Sequence, residues 1–174
     1  MKLFKSPFWS RLVAVALLAT LTVLSGCATG PKLVAHAFSY DGRSDDPRWA
    51  NQVHLLEYSY GDKYHMVRDT VKYGKESVPY SSSVNGSMPV GDFLYVKWRI
   101  KETGEEIEDK VDLRNRLPDN MFDHRITFVI DGKQLYVYLV TPQAKKTDAP
   151  PILKTTKSRY YVTYEIYPNN TYKK

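Results

Sequence analysis

The sequence contains a single cysteine, Cys27, among its 174 residues. A chain with one cysteine forms no internal disulfide, so packing alone has to hold its fold together. Long segments with apolar residues at helical spacing are also missing, which argues against an α-helical domain. The longest apolar run, residues 12–24, stands close to the N-terminus and not in the body of the chain.

Motifs for catalysis and metal binding are equally scarce. The sequence has no Gly-x-Ser-x-Gly turn and no glycine-rich phosphate loop. Asp123 and His124 are adjacent, as in half of an acid–base pair, but two solvated loop residues are the favoured interpretation. The histidines lack metal-ligand spacing with one another; they are His36, His54, His65 and His124. We therefore predict a protein that is not an enzyme and that uses no metal or cofactor.

The charge balance argues against nucleic acid as a partner. The formal net charge is +6, and loss of an N-terminal segment containing Lys2, Lys5 and Arg11 would lower it to +3. Nucleic-acid binding requires a dense basic face. A balance this mild predicts no such interaction.

The N-terminus has the pattern of an export signal. Basic residues precede the apolar run 12–24, and small residues follow it. The tetrapeptide Leu24-Ser25-Gly26-Cys27 resembles the lipobox of bacterial lipoproteins. That resemblance implies cleavage before Cys27 and acylation of its sulfur, whereas the alternative is an ordinary signal peptide with a free cysteine at its end. Ala28 in the next position, where an aspartate would retain a lipoprotein at the inner membrane, implies the periplasmic face of the outer membrane.

This interpretation divides the chain into four parts. Residues 1–26 are the predicted signal peptide, 27–33 a lipidated tether, 34–168 a folded domain and 169–174 a polar tail.

Strand patterns dominate the predicted domain. Fourteen tyrosines and many β-branched residues accompany alternation of apolar and polar positions. Strands are predicted over 34–40, 53–60, 64–73, 94–100, 106–113, 126–130, 135–139 and 159–167, the last with Tyr160, Val162, Tyr164 and Ile166 inward. We expect an all-β fold: a single antiparallel β-sandwich of about seven strands.

Two segments depart from the strand pattern. Residues 78–92 contain three consecutive serines, Asn85-Gly86 and two prolines, and predict a long loop that is either functional or a plain connector. Residues 114–125 predict a turn or a single helical turn near Pro118.

The charges of residues 94–113 predict the register of a hairpin. Placing Arg99 opposite Glu108 aligns opposite charges on one face and apolar residues on the other. That register sets Asp109 opposite Trp98 on the apolar side. We expect the Asp109 carboxylate to accept the indole N–H or to lie at the edge of the core.

Aromatic and arginine side chains outside the predicted inner rows are candidates for a partner interface, because such residues bury large areas at low entropic cost. The alternative is that outward tyrosines simply suit a sheet surface. The candidate residues are Arg43, Trp49, Tyr80, Arg114 and Arg116.

Residues 93–142 resemble small outer-membrane lipoproteins that act as immunity partners of lipase-type effectors of type VI secretion. The resemblance rests on the hairpin segments FLYVKWRIKETGEEIEDKVDLRNRLP and ITFVIDGKQLYVYLVTP. It implies a membrane-anchored protein that binds a secreted effector. Two alternatives stay open: an accessory lipoprotein that docks an envelope complex to the outer membrane, and a small-ligand or lipid-binding module.

Overall fold

The computed structural model describes residues 30–42, 52–61, 67–72, 74–79, 81–146 and 156–174. The predicted signal peptide and Cys27 lie outside these residues. Contacts divide the chain into Met1–Pro31 and Lys32–Lys174, and every element described below belongs to the second unit.

The described residues form two β-sheets. The five-stranded sheet has the order β4-β1-β7-β8-β9, and the four-stranded sheet has the order β3-β2-β5-β6. The strands are β1 (Leu33–Asp41), β2 (Val53–Tyr60), β3 (Val67–Thr70), β4 (Ser81–Pro89), β5 (Phe93–Ile100), β6 (Glu106–Asp112), β7 (Arg125–Asp131), β8 (Gln134–Ala144) and β9 (Tyr161–Tyr167). One short helix, α1 (Thr156–Tyr160), precedes β9.

The predicted all-β sandwich is confirmed. Side chains from both sheets share one buried core, with Phe38 and Phe128 from the five-stranded sheet and Trp98 from the four-stranded sheet. The described part of the chain contains nine strands where about seven were expected. The arrangement is also not wholly antiparallel, because β1 pairs in parallel with β7, with Ala37 beside Arg125.

The loop predicted over residues 78–92 is wrong in its central part. Residues Ser81–Pro89 form β4, which pairs with β1 in antiparallel register from Leu33–Pro89 to Asp41–Ser81. Serine, asparagine and glycine have low intrinsic strand propensity, so the local sequence resembles a loop. Pairing with the main chain of β1 imposes the extended conformation.

The predicted register of the charged hairpin is wrong by two residues. Arg99 lies opposite Glu106, and its guanidinium donates to that carboxylate. The loop closes at Gly104, which has φ +73, so it occupies 101–104 instead of 102–105. A shift of two residues leaves every side chain on its predicted face.

Asp109 therefore lies opposite Val96 and not opposite Trp98. Its carboxylate accepts the Tyr167 hydroxyl at 2.6 Å, and the indole N–H of Trp98 donates to the Gly132 carbonyl at 2.9 Å. The expectation that the indole binds Asp109 is wrong, whereas Asp109 is half-buried at the edge of the core, as the alternative predicted.

Aromatic rings fill the centre of the core. The Phe38 ring stacks on Tyr60 with centroids 4.7 Å apart, and Tyr40 stacks on Phe128 at 4.9 Å. Tyr58 contacts Phe128 edge-on at 5.5 Å. Contacts of this geometry add to the free energy gained from burial, so the alternating aromatic residues of β1 and β2 fix how the two sheets meet.

Hydrogen bonds at the margins of the core also join the sheets. Tyr58 of β2 bonds to Ser82 of β4 at 2.7 Å between the hydroxyl oxygens. The Trp98–Gly132 and Tyr167–Asp109 bonds described above link β5 and β6 to the opposite sheet. Each bond satisfies the polar tip of a ring that is buried or half-buried, so the tyrosine-rich composition serves the interior as well as the surface.

The outer face of the five-stranded sheet is buried along β7 and β8. Thr127, Val129, Tyr138 and Val140 point away from the core, yet each is at most 3% exposed. Helix α1 supplies a buried contact on β9, where the Thr163 hydroxyl donates to Ser158.

β9 and the C-terminal residues differ from the predicted pattern. Tyr160, predicted to point inward, belongs to α1 and is 65% exposed. Tyr172, in the predicted polar tail, packs edge-on against the Tyr164 ring with centroids 5.3 Å apart. Lys174 pairs with Asp119 at 3.0 Å.

Candidate functional site

Four of the six residues singled out from the sequence lie outside the described residues: Cys27, Arg43, Trp49 and Tyr80. The other two, Arg114 and Arg116, follow β6. The structure thus locates only part of the predicted partner-binding set.

Arg114 is exposed and pairs with Asp112, which precedes it by two residues in the chain. Its Nε donates to the Asp112 carboxylate at 2.9 Å, and its main-chain N–H donates to the same group at 3.0 Å. These hydrogen bonds lower the pKa of Asp112 to about 2. Arg114 would have to give up this pairing in order to contact a partner.

Arg116 is half-buried and serves the fold. Its guanidinium donates to the Ile166 carbonyl and lies over the Tyr167 ring, 5.5 Å from the centroid. It therefore holds the end of β9 against the segment that follows β6.

A different surface has the geometry of a binding site. A cavity of about 370 Å³ opens on the outer face of the five-stranded sheet, where residues of all five strands line it. Small side chains of β1, Ala35 and Ala37, line it, which leaves room above the sheet. We call it the Arg125 cavity; among its lining residues are Ala35, Ala37, Asn85, Asp123, His124, Arg125 and Thr141.

Arg125 extends across β1. It is the first residue of β7, paired with Ala37, yet its Nη1 donates to the Ser83 hydroxyl on β4 at 3.0 Å. The small Ala37 side chain lets the long arginine lie over the intervening strand. The guanidinium thus lies beside the outermost strand of the sheet.

No carboxylate neutralises Arg125 within the described part of the chain. Ser83 is the one hydrogen-bond partner of its guanidinium there. Burial lowers the pKa of the Arg125 guanidinium from its ordinary value, although arginine stays protonated. A half-buried cation without a counterion favours the approach of an anion.

His124 and Asp123 stand beside Arg125. His124 directs its Nδ1 to the Phe122 carbonyl at 2.9 Å, which leaves Nε2 without a partner among the described residues. Asp123 is exposed, has φ 58 and donates its main-chain N–H to the Ala35 carbonyl. No hydrogen bond joins the two side chains in the described structure, and their role as an acid–base pair stays untested.

A buried pair lies beneath the cavity. The Nδ1 of His36 donates to the Val34 carbonyl at 2.8 Å, so its Nε2 accepts the Tyr60 hydroxyl at 2.9 Å. Burial lowers the pKa of His36 and raises the pKa of Tyr60. Both groups are held neutral, and the pair fixes the strand that forms the floor of the cavity to the opposite sheet.

The strand next to the cavity is unpaired on its outer side among the described strands. β4 is the outermost strand of its sheet, and none of its nine residues is charged. Residues 83–87 are exposed, with Val84 39% exposed. Native proteins usually protect such an edge with charges, prolines or a covering segment.

The groups at the Arg125 cavity are suited to binding an anion or an extended chain. Among the described residues, no cluster of three or more histidine, cysteine, aspartate or glutamate side chains has the geometry to hold a metal ion. None of the helices in the described residues is long and apolar enough to cross a bilayer. Within the described residues, the site offers a guanidinium with no carboxylate partner, an imidazole nitrogen and the main-chain groups of an outermost strand.

Arg125 and Asn85 were not singled out from the sequence. Their proximity depends on β1 pairing with both β4 and β7, which are far apart in the chain. One signal was present: Ala35, Ala37 and Ser39 make one face of β1 unusually small, and such a face accommodates a long side chain from a neighbouring strand.

Comparisons with known proteins do not assign this site. No protein-family model matches the chain, and no curated protein and no solved structure matches it. Function is therefore argued from the sequence and the geometry.

Proposed function

We propose that this chain is a lipid-anchored binding protein of the bacterial envelope that recognises a protein partner. The observation that carries the proposal is the uncharged, outermost position of β4 beside Arg125, which no carboxylate neutralises in the described part of the chain. An exposed strand edge offers main-chain hydrogen bonds to an extended segment of another protein, and a neighbouring cation adds specificity.

The sequence supports the location. The lipobox-like Leu24-Ser25-Gly26-Cys27 favours acylation of Cys27, and Ala28 favours the outer membrane with the domain on its periplasmic face. Anchoring raises the effective concentration of a binder at the surface it protects.

The most specific form of the proposal is immunity. The resemblance of residues 93–142 to immunity lipoproteins favours a partner that is a lipase-type effector of type VI secretion. A small anchored domain would inhibit such an effector by covering its active site at the membrane that the effector attacks.

The genetic test is direct. We expect a neighbouring gene for a secreted hydrolase, and we expect deletion of the gene for this chain to arrest growth only while that neighbour is intact. The purified product of the neighbour should bind this chain. Normal growth of the deletion strain, together with no binding, would overturn the immunity proposal.

An accessory role in docking an envelope complex is the second candidate, because a lipid anchor and a strand edge also suit a scaffold. It predicts co-purification with other envelope components. It also predicts that deletion stops secretion without self-intoxication, which separates it from immunity.

A further inference from the structure

The hydrogen-bonding direction of β4 follows from that of β1. The Ala37 N–H donates to the His124 carbonyl, so the main-chain groups of Ala37 face β7. Ala37 is paired with Asn85. The N–H and C=O groups of Asn85 therefore point away from β1, as do those of Ser83 and Ser87, because successive residues of a strand alternate in direction. We call these main-chain groups the β4 edge.

The four-stranded sheet has a protected edge at β6. β6 is also outermost, and its exposed residues are Glu106, Glu108, Lys110 and Asp112. Charged side chains along an edge discourage pairing with another strand. The exposed residues of β4 carry no charge; they are Ser83, Val84, Asn85, Gly86 and Ser87. Among the described residues, the β6 edge is thus protected by charges, whereas the β4 edge is not.

The Arg125 cavity adds a chemical preference to the β4 edge. Arg125 reaches Ser83, so its guanidinium lies on the β4 side of β1. A strand added beside β4 would lie about 4.8 Å further out, and its side chains on this face would stand next to Ser83 and Asn85. An acidic side chain there can pair with Arg125, whose charge nothing else in the described structure neutralises. The exposed carboxylate of Asp123 on the same cavity opposes this attraction.

We propose that the β4 edge binds an extended segment of a protein partner by strand addition, and that an aspartate or glutamate of that segment pairs with Arg125. The inference rests on the proposed partner-binding function and names the chemistry of the partner. Main-chain hydrogen bonds at Ser83, Asn85 and Ser87 supply the docking, and Arg125 selects a segment with a carboxylate at the matching position.

The probe is a synthetic peptide of the same length as β4, with alternating threonine and valine, lysine at both ends and glutamate at the centre. We expect it to slow hydrogen exchange of the Ser83, Asn85 and Ser87 amides in the full chain, measured by NMR. The same peptide with central glutamine should bind about tenfold to a hundredfold more weakly, because a charge-assisted hydrogen bond is lost.

Three variants separate the parts of the site. Arg125→Gln should bring the affinity for the glutamate peptide down to that for the glutamine peptide. Asp123→Asn, which removes an opposing charge and suits the positive φ, should tighten binding of the glutamate peptide severalfold. Ser87→Pro removes one edge N–H without touching Arg125, and it should weaken both peptides while the Arg125 side-chain signals still respond to acetate.

Equal affinity of the glutamate and glutamine peptides, or unchanged exchange at the three edge amides, would overturn the inference. A shift of the Arg125 signals by acetate with no effect of either peptide would also overturn it, because the site would then be for a small anion. The proposed function is tested separately from this inference. If the neighbouring gene product binds wild type, Arg125→Gln and Ser87→Pro equally, partner binding stands and docking by strand addition at the β4 edge is rejected.

Discussion

His36 lies in the interior with both ring nitrogens hydrogen-bonded, to the Val34 carbonyl and the Tyr60 hydroxyl. Burial lowers its pKa below the ordinary value of 6.5, and the nearby His124 acts in the same direction. As the pH falls through 6.5, the unfolded chain takes up a proton that the folded chain resists. His36 therefore makes the folded state less stable in acid and has no such effect above pH 6.5.

We expect the urea midpoint of the wild type to fall between pH 7 and pH 5 more than that of His36→Gln. Glutamine can keep a donor and an acceptor at this position but does not titrate. His54, His65 and His124 remain in both proteins, so the difference between the two pH profiles reports His36. Parallel profiles would contradict the argument.

The Tyr167 hydroxyl donates to Asp109 at 2.6 Å and links the last strand to the other sheet. This hydrogen bond and burial raise the pKa of Tyr167 to about 12. Tyr167→Phe should cost about 1 kcal/mol of unfolding free energy, because a half-buried carboxylate loses its donor.

Tyr95→Phe is the matched control for Tyr167→Phe. The Tyr95 hydroxyl donates to Glu108 at 2.8 Å, but this bond lies on the solvent face, where water replaces it. We expect no measurable loss in urea denaturation. Equal losses in both variants would show that the Tyr167 bond has no special role between the sheets.

At the scale of elements, the connection between β4 and β5 requires a glycine at position 91, because a side chain there would meet a buried ring. A Cβ on Gly91 would lie 2.5 Å from the Tyr60 ring. That ring is fully buried and stacked on Phe38, and its hydroxyl is bound to His36, so it has little freedom to move.

Gly91→Ala should therefore lower the free energy of unfolding by about 1–3 kcal/mol through overpacking. Gly30→Ala serves as the control, because nothing lies within 4 Å of a Cβ at that position. Urea denaturation of the two variants tests the argument, and a Gly91→Ala protein as stable as wild type would contradict it.

The same elements show what sequence patterns can and cannot predict. Alternation located β1, β2 and both hairpins, because one face of each strand is buried and the other is not. It missed β4, whose extended form is imposed by β1 and not by its own residues. For the hairpin of β5 and β6, the predicted faces were right and the predicted register was wrong, because a two-residue shift leaves the apolar pattern unchanged. The Arg125 cavity could not be predicted for a related reason: residues of five strands line it, and the sequence does not state the order of those strands.

At the scale of the whole molecule, the proposed location depends on Cys27. Cys27→Ser should move the processed protein from the membrane fraction to the soluble periplasmic fraction, because serine provides no thiol for acylation. Fractionation with an antibody against the folded domain measures this. The companion variant Arg114→Gln, far in sequence from the lipobox, should stay with the membrane. Unchanged membrane association of Cys27→Ser would reject the anchor.

The parallel pairing of β1 with β7 has a consequence for how the chain acquires its structure. Ala37 and Arg125 become neighbours only after most of the domain has been synthesised. β1 therefore cannot complete its pairing until β7 is available. Domains dominated by such distant pairings fold over milliseconds to seconds, well behind helical bundles of similar size. Until β7 is available, β1 lacks this neighbour, and its apolar and aromatic residues stay accessible to chaperones.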